Sequence, residues 1–315
     1  MNFSISVVIP AYNVEQFIET AIVSALQQPE VSEVVVVDDG STDSTCKIVK
    51  TLQTSNLAIK LYFHHNHINK GRSATRNLGI KNARNNYIAF LDADDYYCPD
   101  RFLNDKEILA NNASLDGTYN AVGFYYYRNA SKEEILKNKI STLCQRVPPD
   151  ELFDAVITSK YGYLHLNGLT LKKTVFDVIG YFNEDLMVAE DSDLIYKLAL
   201  KCSLVSSNIF SPVAKRGVHN TNIFNQDEIY KVYNIKLYES VIFWSCKHEI
   251  ALQQIDKTLY WLWVFKIRNC NSITNDTFYW FYLFFSNPKI LFSYLSIKYF
   301  PIIRQRQILF PFLYR

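Results

Sequence analysis

Apolar residues follow two alternating rhythms along this chain: continuous β-branched runs, and longer stretches with apolar positions three and four apart. The run Ile5-Ser6-Val7-Val8-Ile9 predicts a buried first strand stopped by Pro10, and the spacing of Phe17, Ile18, Ala21, Ile22, Ala25 and Leu26 predicts a helix over 14–28. The exchange recurs as strands over 34–37, 59–63 and 87–91, with a helix over 44–53 and another beginning near 73. Such alternation predicts an α/β fold on a doubly wound, mostly parallel sheet flanked by helices.

Past residue 95 the rhythm loosens. A tyrosine-rich strand is expected over 117–127, a charged helix start over 132–138, and a helix opened by Pro148-Pro149-Asp150 and running to 157. A short strand follows over 167–171, then an amphipathic helix over 192–200 with Leu194, Ile195, Leu198 and Ala199 inward. No internal repeat is present, and the α/β domain is expected to close near 225, after the stretch 213–219. From 226 to 315 an aromatic-rich helical extension is expected, with Tyr233, Leu237, Val241 and Trp244 on one stripe and aromatic runs over 259–265 and 278–285. Neither run approaches the roughly twenty residues of a spanning helix, so no transmembrane segment is expected.

The composition sharpens this in three places. With 33 basic against 31 acidic residues, the chain is not a nucleic-acid protein that binds through overall charge. After Asp276 there is no acid, while Lys289, Lys298, Arg304, Arg306 and Arg315 are interleaved with aromatic and aliphatic residues. That mixture suits the face of an anionic membrane, and it equally suits helices packed as a lid on the catalytic domain. The six cysteines lie far apart with no C-x-x-C pair, and the first ten residues lack the basic start of a signal peptide, so a reduced, cytoplasmic protein is expected.

Candidate chemistry gathers at two strand ends. Asp38-Asp39 follows Glu33-Val34-Val35-Val36-Val37, and Asp92-Ala93-Asp94-Asp95 follows Tyr87-Ile88-Ala89-Phe90-Leu91. Acids a few ångströms apart repel unless a cation or a hydrogen-bonded ligand shares the space, and ligands of open α/β sheets bind at the carboxyl ends of strands. Acidic caps on the following helices are the plainer alternative.

Taken in order, Ile9-Pro10-Ala11-Tyr12-Asn13, Val37-Asp38-Asp39-Gly40-Ser41-Thr42-Asp43, Asn69-Lys70-Gly71-Arg72-Ser73-Ala74-Thr75-Arg76-Asn77 and Leu91-Asp92-Ala93-Asp94-Asp95 resemble the family 2 inverting glycosyltransferases of the Rossmann-like GT-A fold. The resemblance is strong over about the first 100 residues, weaker through Gly180-Tyr181-Phe182-Asn183-Glu184 and Ala189-Glu190-Asp191-Ser192-Asp193-Leu194, and fades past His219. It implies a nucleotide-sugar-binding half over 1–100 and an acceptor-binding half over 101–225. The implied reaction moves a sugar from a nucleotide-sugar donor, a UDP-hexose or UDP-N-acetylhexosamine, to a hydroxyl of a glycan or lipid-linked acceptor in bacterial surface polysaccharide or lipopolysaccharide synthesis.

Residue by residue, the resemblance implies that Pro10, Ala11, Tyr12 and Asn13 line a uracil, and that Asp39 accepts its imide N–H, which cytosine lacks. Lys70 and Arg76 would supply positive charge to phosphate or base. Asp92, with Ala93 beside it, would hold the ribose or a metal-bound water. Asp94 and His219 would bind Mn²⁺ or Mg²⁺, which hard carboxylates favour. Asp191 would be the base that activates the acceptor hydroxyl, with Glu190 orienting it. His64, His65 and His67 are read as a solvated loop. Two rival functions remain: a non-catalytic sugar-nucleotide-binding scaffold, and a nucleotidyltransferase, which Pro10-Ala11-Tyr12-Asn13-Val14 disfavours because it has no glycine for a phosphate loop.

Overall fold

Strand β1 (Ile5–Ala11) runs through the middle of a sheet in the computed structural model of the chain, which describes residues 3–137, 139–219, 227–269 and 272–314. It pairs in parallel with β2 (Val31–Asp38) on one side and with β4 (Tyr87–Phe90) on the other, and β3 (Ile59–Phe63) extends the parallel array beyond β2. Helices α1 (Ile18–Leu26), α2 (Thr45–Ser55) and α3 (Gly71–Asn82) make the crossovers. A strand in that position is covered on both faces, which is why Ile5, Val7, Val8 and Ile9 are apolar and fully buried, with Ser6 between them buried on Glu33. Helix α3 lies close against the sheet at Gly79, where an added Cβ would stand 2.4 Å from Val8 Cγ1.

Beyond β4 the sheet changes character. Its order is β3-β2-β1-β4-β8-β6-β9, completed by β6 (Gly117–Tyr119), β8 (Leu169–Lys172) and β9 (Leu204–Ser206). Strand β8 is antiparallel to both neighbours, so the sheet is mostly parallel with one reversed strand. A second sheet, β5-β10-β7, is formed by β5 (Tyr96–Tyr97), β7 (Val122–Tyr126) and β10 (Ala214–Val218).

Several expected boundaries move, each for a local reason. The helix expected over 14–28 starts only at Ile18, because Val14 N–H donates to Thr45 Oγ1 at 2.9 Å and Glu15 N–H to Asp43 at 3.1 Å, tying the preceding turn to the start of α2 and the residues just before it. The single strand expected over 117–127 is two strands in different sheets. Asn120 breaks it: its amide donates to Asp105 at 3.0 Å and to the Gly168 carbonyl at 3.1 Å, while Ala121 N–H turns to Asn208 O at 2.7 Å. The strand expected over 167–171 starts at Leu169, after a 3₁₀ turn over Leu166–Gly168. Helix α4 (Leu103–Asn111) went unpredicted because a core-facing position is polar: Asp105 is fully buried on Arg101, at 2.8 Å, and on Thr170, at 2.6 Å. Helices α5 (Lys132–Lys137), α6 (Leu152–Ile157), α7 (Val175–Ile179) and α8 (Glu190–Lys201) complete this part of the chain.

The chain divides into two compact units, Met1–Asn225 and Gln226–Arg315. The expected domain boundary, together with Asn138, Asn220, Cys270 and Arg315, lies outside the described residues. In the second unit, α9 (Asp227–Lys247), α10 (Leu252–Asn269) and α11 (Ile273–Ser286) are followed by short helical turns. Leu237, Val241 and Trp244 of the predicted stripe are buried, and Trp263 is enclosed by the rings of Tyr279 and Tyr299. No helix among the described residues is long and apolar enough to cross a membrane.

Candidate active site

The parallel register brings two strand ends side by side. Pro10 lies opposite Val37 and Ala11 opposite Asp38, and Asp39 N–H donates to Ala11 O at 2.8 Å. The chain then turns at Asn13, whose φ is +52°, and the Asn13 side chain accepts from Thr42 N–H at 2.8 Å. Between these anchors Tyr12 stands half exposed, at 49 %. The four residues expected along a base are thereby stapled to the loop that carries Asp39.

Asp39 itself is buried. Its two oxygens accept from the backbone N–H groups of Lys70, at 2.7 Å, and Gly71, at 2.9 Å, so the carboxylate caps the start of α3. Lys70 takes part through its backbone, and its side chain is exposed. His64 departs from the solvated-loop expectation. It is buried, with Nε2 3.1 Å from Thr75 Oγ1 and 3.5 Å from Asp39 Oδ1, whereas His65 and His67 are exposed.

One turn into α3, Arg76 is also buried, and both ends of its guanidinium are occupied. Nη2 lies 2.7 Å from Asp92 and Nη1 2.9 Å from Glu190. The expected cation for a phosphate is therefore spent as a bridge between two acids far apart in sequence. Arg72, which sequence reading passed over, is the half-exposed cation of this helix, with Nε 3.6 Å from Glu190. Glu190 is consequently held by arginines and shows no bond to Asp191, the residue it was expected to orient. Asp191, half-buried in the first turn of α8, accepts from Ser192 N–H at 2.7 Å.

The acid segment after β4 is electrostatically graded. Burial works to raise the Asp92 carboxyl, but the Arg76 guanidinium outweighs it and holds the group down at about 2. Asp94 is pushed upward by burial and then by the charge of Asp92, although His219 Nε2 stands 2.8 Å from it. Asp95, clamped by the Asn167 amide and by Gly217 N–H at 2.7 Å, is raised well above the usual range by burial and by its two acidic neighbours. Gly217 admits this approach because it has no side chain: a Cβ there would lie 2.3 Å from the Asp94 carbonyl.

Burial of so much acid beside one bridging arginine is the situation a divalent cation relieves, and the donors, carboxylate oxygens with an imidazole, fit Mn²⁺ or Mg²⁺. Oxygens of Asp92 and Asp95 and a His165 ring nitrogen all lie within 4.8 Å of one another. His165 was missed by sequence reading because no motif surrounds it. Burial, then the charge of Arg216, lowers it to about 4, so the ring is neutral at pH 7. Its Nδ1 accepts from Asn167 N–H at 3.3 Å, which leaves the proton on Nε2, so the ring faces these acids as a hydrogen-bond donor, and the imidazole that would ligate a cation is that of His219, 2.8 Å from Asp94.

A family model described as Glycosyl transferase family 2 matches residues 6–182, from the first strand to beyond the acid segment. The chain belongs to this family. As a family 2 glycosyltransferase it is 27 % identical over 290 residues to an uncharacterized glycosyltransferase of Rickettsia felis, covering 87 % of this chain and 43 % of that one. Glycosyltransferase GlyA of Streptococcus pneumoniae is 37 % identical over 228 residues, 68 % of this chain and 31 % of the relative. The chain therefore spans less than half the length of either protein. Among solved structures, S. aureus TarS 1–349 matches with a TM-score of 0.60 at 20 % identity, covering 84 % of this chain and 73 % of that one. The same protein in complex with UDP-GlcNAc matches with a TM-score of 0.55 at 18 % identity, covering 83 % and 80 %. The family 2 glycosyltransferase fold expected from the motifs is thus the fold observed.

Proposed function

We propose that this family 2 glycosyltransferase is a metal-dependent inverting enzyme that moves a hexose or N-acetylhexosamine from a UDP-sugar to a hydroxyl of a glycan or glycolipid acceptor. The observation that carries the reading is the Arg76 bridge, which ties Asp92 on the donor side to Glu190 beside Asp191, at 2.7 and 2.9 Å. The complex of TarS with UDP-GlcNAc supports the donor class. A bacterial surface polysaccharide or lipopolysaccharide is the pathway we assign.

In this reading Tyr12 offers its ring to the uracil and Asp39 accepts the imide N–H. Asp94, His219 and Asp92 would hold Mn²⁺ or Mg²⁺, whose charge favours the departing nucleoside diphosphate. Arg72 adds positive charge from its half-exposed position. Asp191 takes the proton of the acceptor hydroxyl as that oxygen attacks the anomeric carbon from the face opposite UDP, which inverts the configuration. Glu190, neutralised by its arginines, keeps the start of α8 in place for that step. The second unit makes contact with an anionic membrane on the cytoplasmic face. Its exposed Phe278, Phe285, Phe292 and Phe312 and its exposed cations Lys298 and Arg306 support that contact.

The test separates the two ends of the site. Asp191→Asn is expected to lower kcat by about 10² to 10⁴ while UDP still binds in the presence of Mn²⁺. Asp94→Ala is expected to abolish the Mn²⁺-dependent part of UDP binding, read by calorimetry with and without a chelator. An Asp191→Asn protein that no longer binds UDP, yet turns over normally when forced to saturation, would remove the assigned base.

A further inference from the structure

Away from the acid segment, one buried imidazole has no role in the reaction described above. His64 follows β3 and is 7 % exposed, although its neighbours His65 and His67 are exposed. A buried ring nitrogen needs a hydrogen-bond partner, and His64 Nε2 has two oxygens within reach: Thr75 Oγ1 at 3.1 Å and Asp39 Oδ1 at 3.5 Å. The direction of the first bond follows from proton counting. The single hydroxyl proton of Thr75 is donated to Gly71 O at 2.8 Å, so toward His64 that oxygen accepts, and Nε2 must carry the proton. The Asp39 carboxylate lies 3.5 Å from the same nitrogen, an electrostatic contact longer than a hydrogen bond, close enough for the N–H dipole to act on it.

The surroundings leave little room for this arrangement to relax. Asp39 is held from the other side by the backbone N–H groups of Lys70 and Gly71. The turn after it packs directly on the histidine segment: a Cβ on Gly40, whose φ is +79°, would lie 2.7 Å from His67 O and 3.1 Å from Asn69 N. One ring therefore lies between the end of β2, the end of β3 and the second turn of α3, beside the carboxylate assigned to the nucleobase. A carboxylate offers about four acceptor positions; the Lys70 and Gly71 N–H groups fill two of them, and the nearby His64 N–H biases which is left for a ligand.

We propose that His64 is a positioning residue that orients the Asp39 carboxylate toward the imide N–H of uracil, and so sets the preference of the enzyme for uridine over cytidine diphosphates. This rests on the assignment of Asp39 to the base. The polar contacts of His64 are to Thr75 and Asp39 and not to the acids after β4, so its effect belongs to donor affinity and leaves the chemical step alone.

Glutamine places its amide nitrogen where Nε2 of histidine stands, and asparagine places its own where Nδ1 stands, too short to reach Asp39. His64→Gln is therefore expected to keep the donor KM within about threefold, while His64→Asn raises it about tenfold, the loss of a close polar contact to a charged group, with kcat little changed. In calorimetry with Mn²⁺, the ratio of UDP to CDP affinity is expected to shrink in His64→Asn and to persist in His64→Gln. Thermal unfolding of the two variants, matched in polarity, checks that both are folded; a loss of folding in both would assign His64 to the core and overturn the proposal. So would an unchanged KM in His64→Asn, or a fall in kcat with the UDP to CDP ratio intact. Asp39→Asn tests the underlying assignment separately: if it leaves the ratio untouched, the base is read elsewhere, whatever His64 does.

Discussion

The cysteines of this chain sit in contrasting local environments. Cys144 is exposed, whereas Cys202 closes α8 with its thiol buried, and burial followed by the charge of Asp116 pushes that thiol up to about 12. Cys46 is raised to about 11, by burial and then by Asp38. The thiolate is the nucleophile, so a raised value removes reactive species at any pH below it. At pH 8, brief alkylation followed by peptide mass spectrometry is expected to find Cys144 modified well before Cys46 or Cys202. Modification of Cys202 at the rate of Cys144 would mean that α8 opens readily in solution. At this same scale the acids were legible in the sequence, because Asp39, Asp92, Asp94, Glu190 and Asp191 each stand in a short local motif. Their partners were not. Arg76 meets Asp92 and Glu190, and His64 meets Asp39, only through the fold, and sequence spacing carries no trace of those pairings.

Among the elements, α3 and β10 depend most on having no side chain at one point. Gly79→Ala would drive a methyl group into Val8 Cγ1 across the contact between α3 and the sheet, and overpacking of that kind costs about 1–3 kcal/mol. Gly217→Ala would instead press β10 against the Asp94 carbonyl and the Tyr127 ring, at 2.3 and 2.7 Å, and so displace the acid segment. Denaturant unfolding combined with transfer assays is expected to separate the two: Gly79→Ala loses stability with kcat nearly kept, and Gly217→Ala loses activity out of proportion to its stability. Equal losses in both would show that the acid segment tolerates movement of β10. The parallel half of the sheet was readable because strands buried on both faces leave unbroken apolar runs. The later half was not, since β5 and β9 are two and three residues long, too short for any period, and Asn120 hides a change of sheet inside what looks like one strand.

For the molecule as a whole, the second unit carries surface chemistry unlike that of the first. Phe285 is 83 % exposed, Phe292 79 % and Phe312 68 %, and no acid follows Asp276 to repel a negatively charged surface. The 315-residue chain is expected to sediment with vesicles of phosphatidylcholine and phosphatidylglycerol, and much less with phosphatidylcholine alone. Each cation near an anionic surface adds about 1 kcal/mol, so Lys298→Gln combined with Arg306→Gln is expected to weaken binding about 30-fold. Equal binding to both kinds of vesicle, or self-association without lipid binding, would remove the membrane from the scheme. The interleaving of cations and aromatics was visible in the sequence, whereas which rings turn inward, as Trp263 does, required the packing of the three long helices.

The order in which the sheet is completed has a consequence for synthesis of the protein. Strand β4 receives its second neighbour, β8, from residues roughly eighty positions later in the chain. At about 5–20 residues per second a ribosome needs some 4–16 s to deliver them. Throughout that interval a nascent parallel array ending at β4 presents an unpaired edge, the kind of surface on which neighbouring chains aggregate. A chaperone that binds the nascent chain during that interval is expected to cover this edge, just upstream of Asp92-Ala93-Asp94-Asp95.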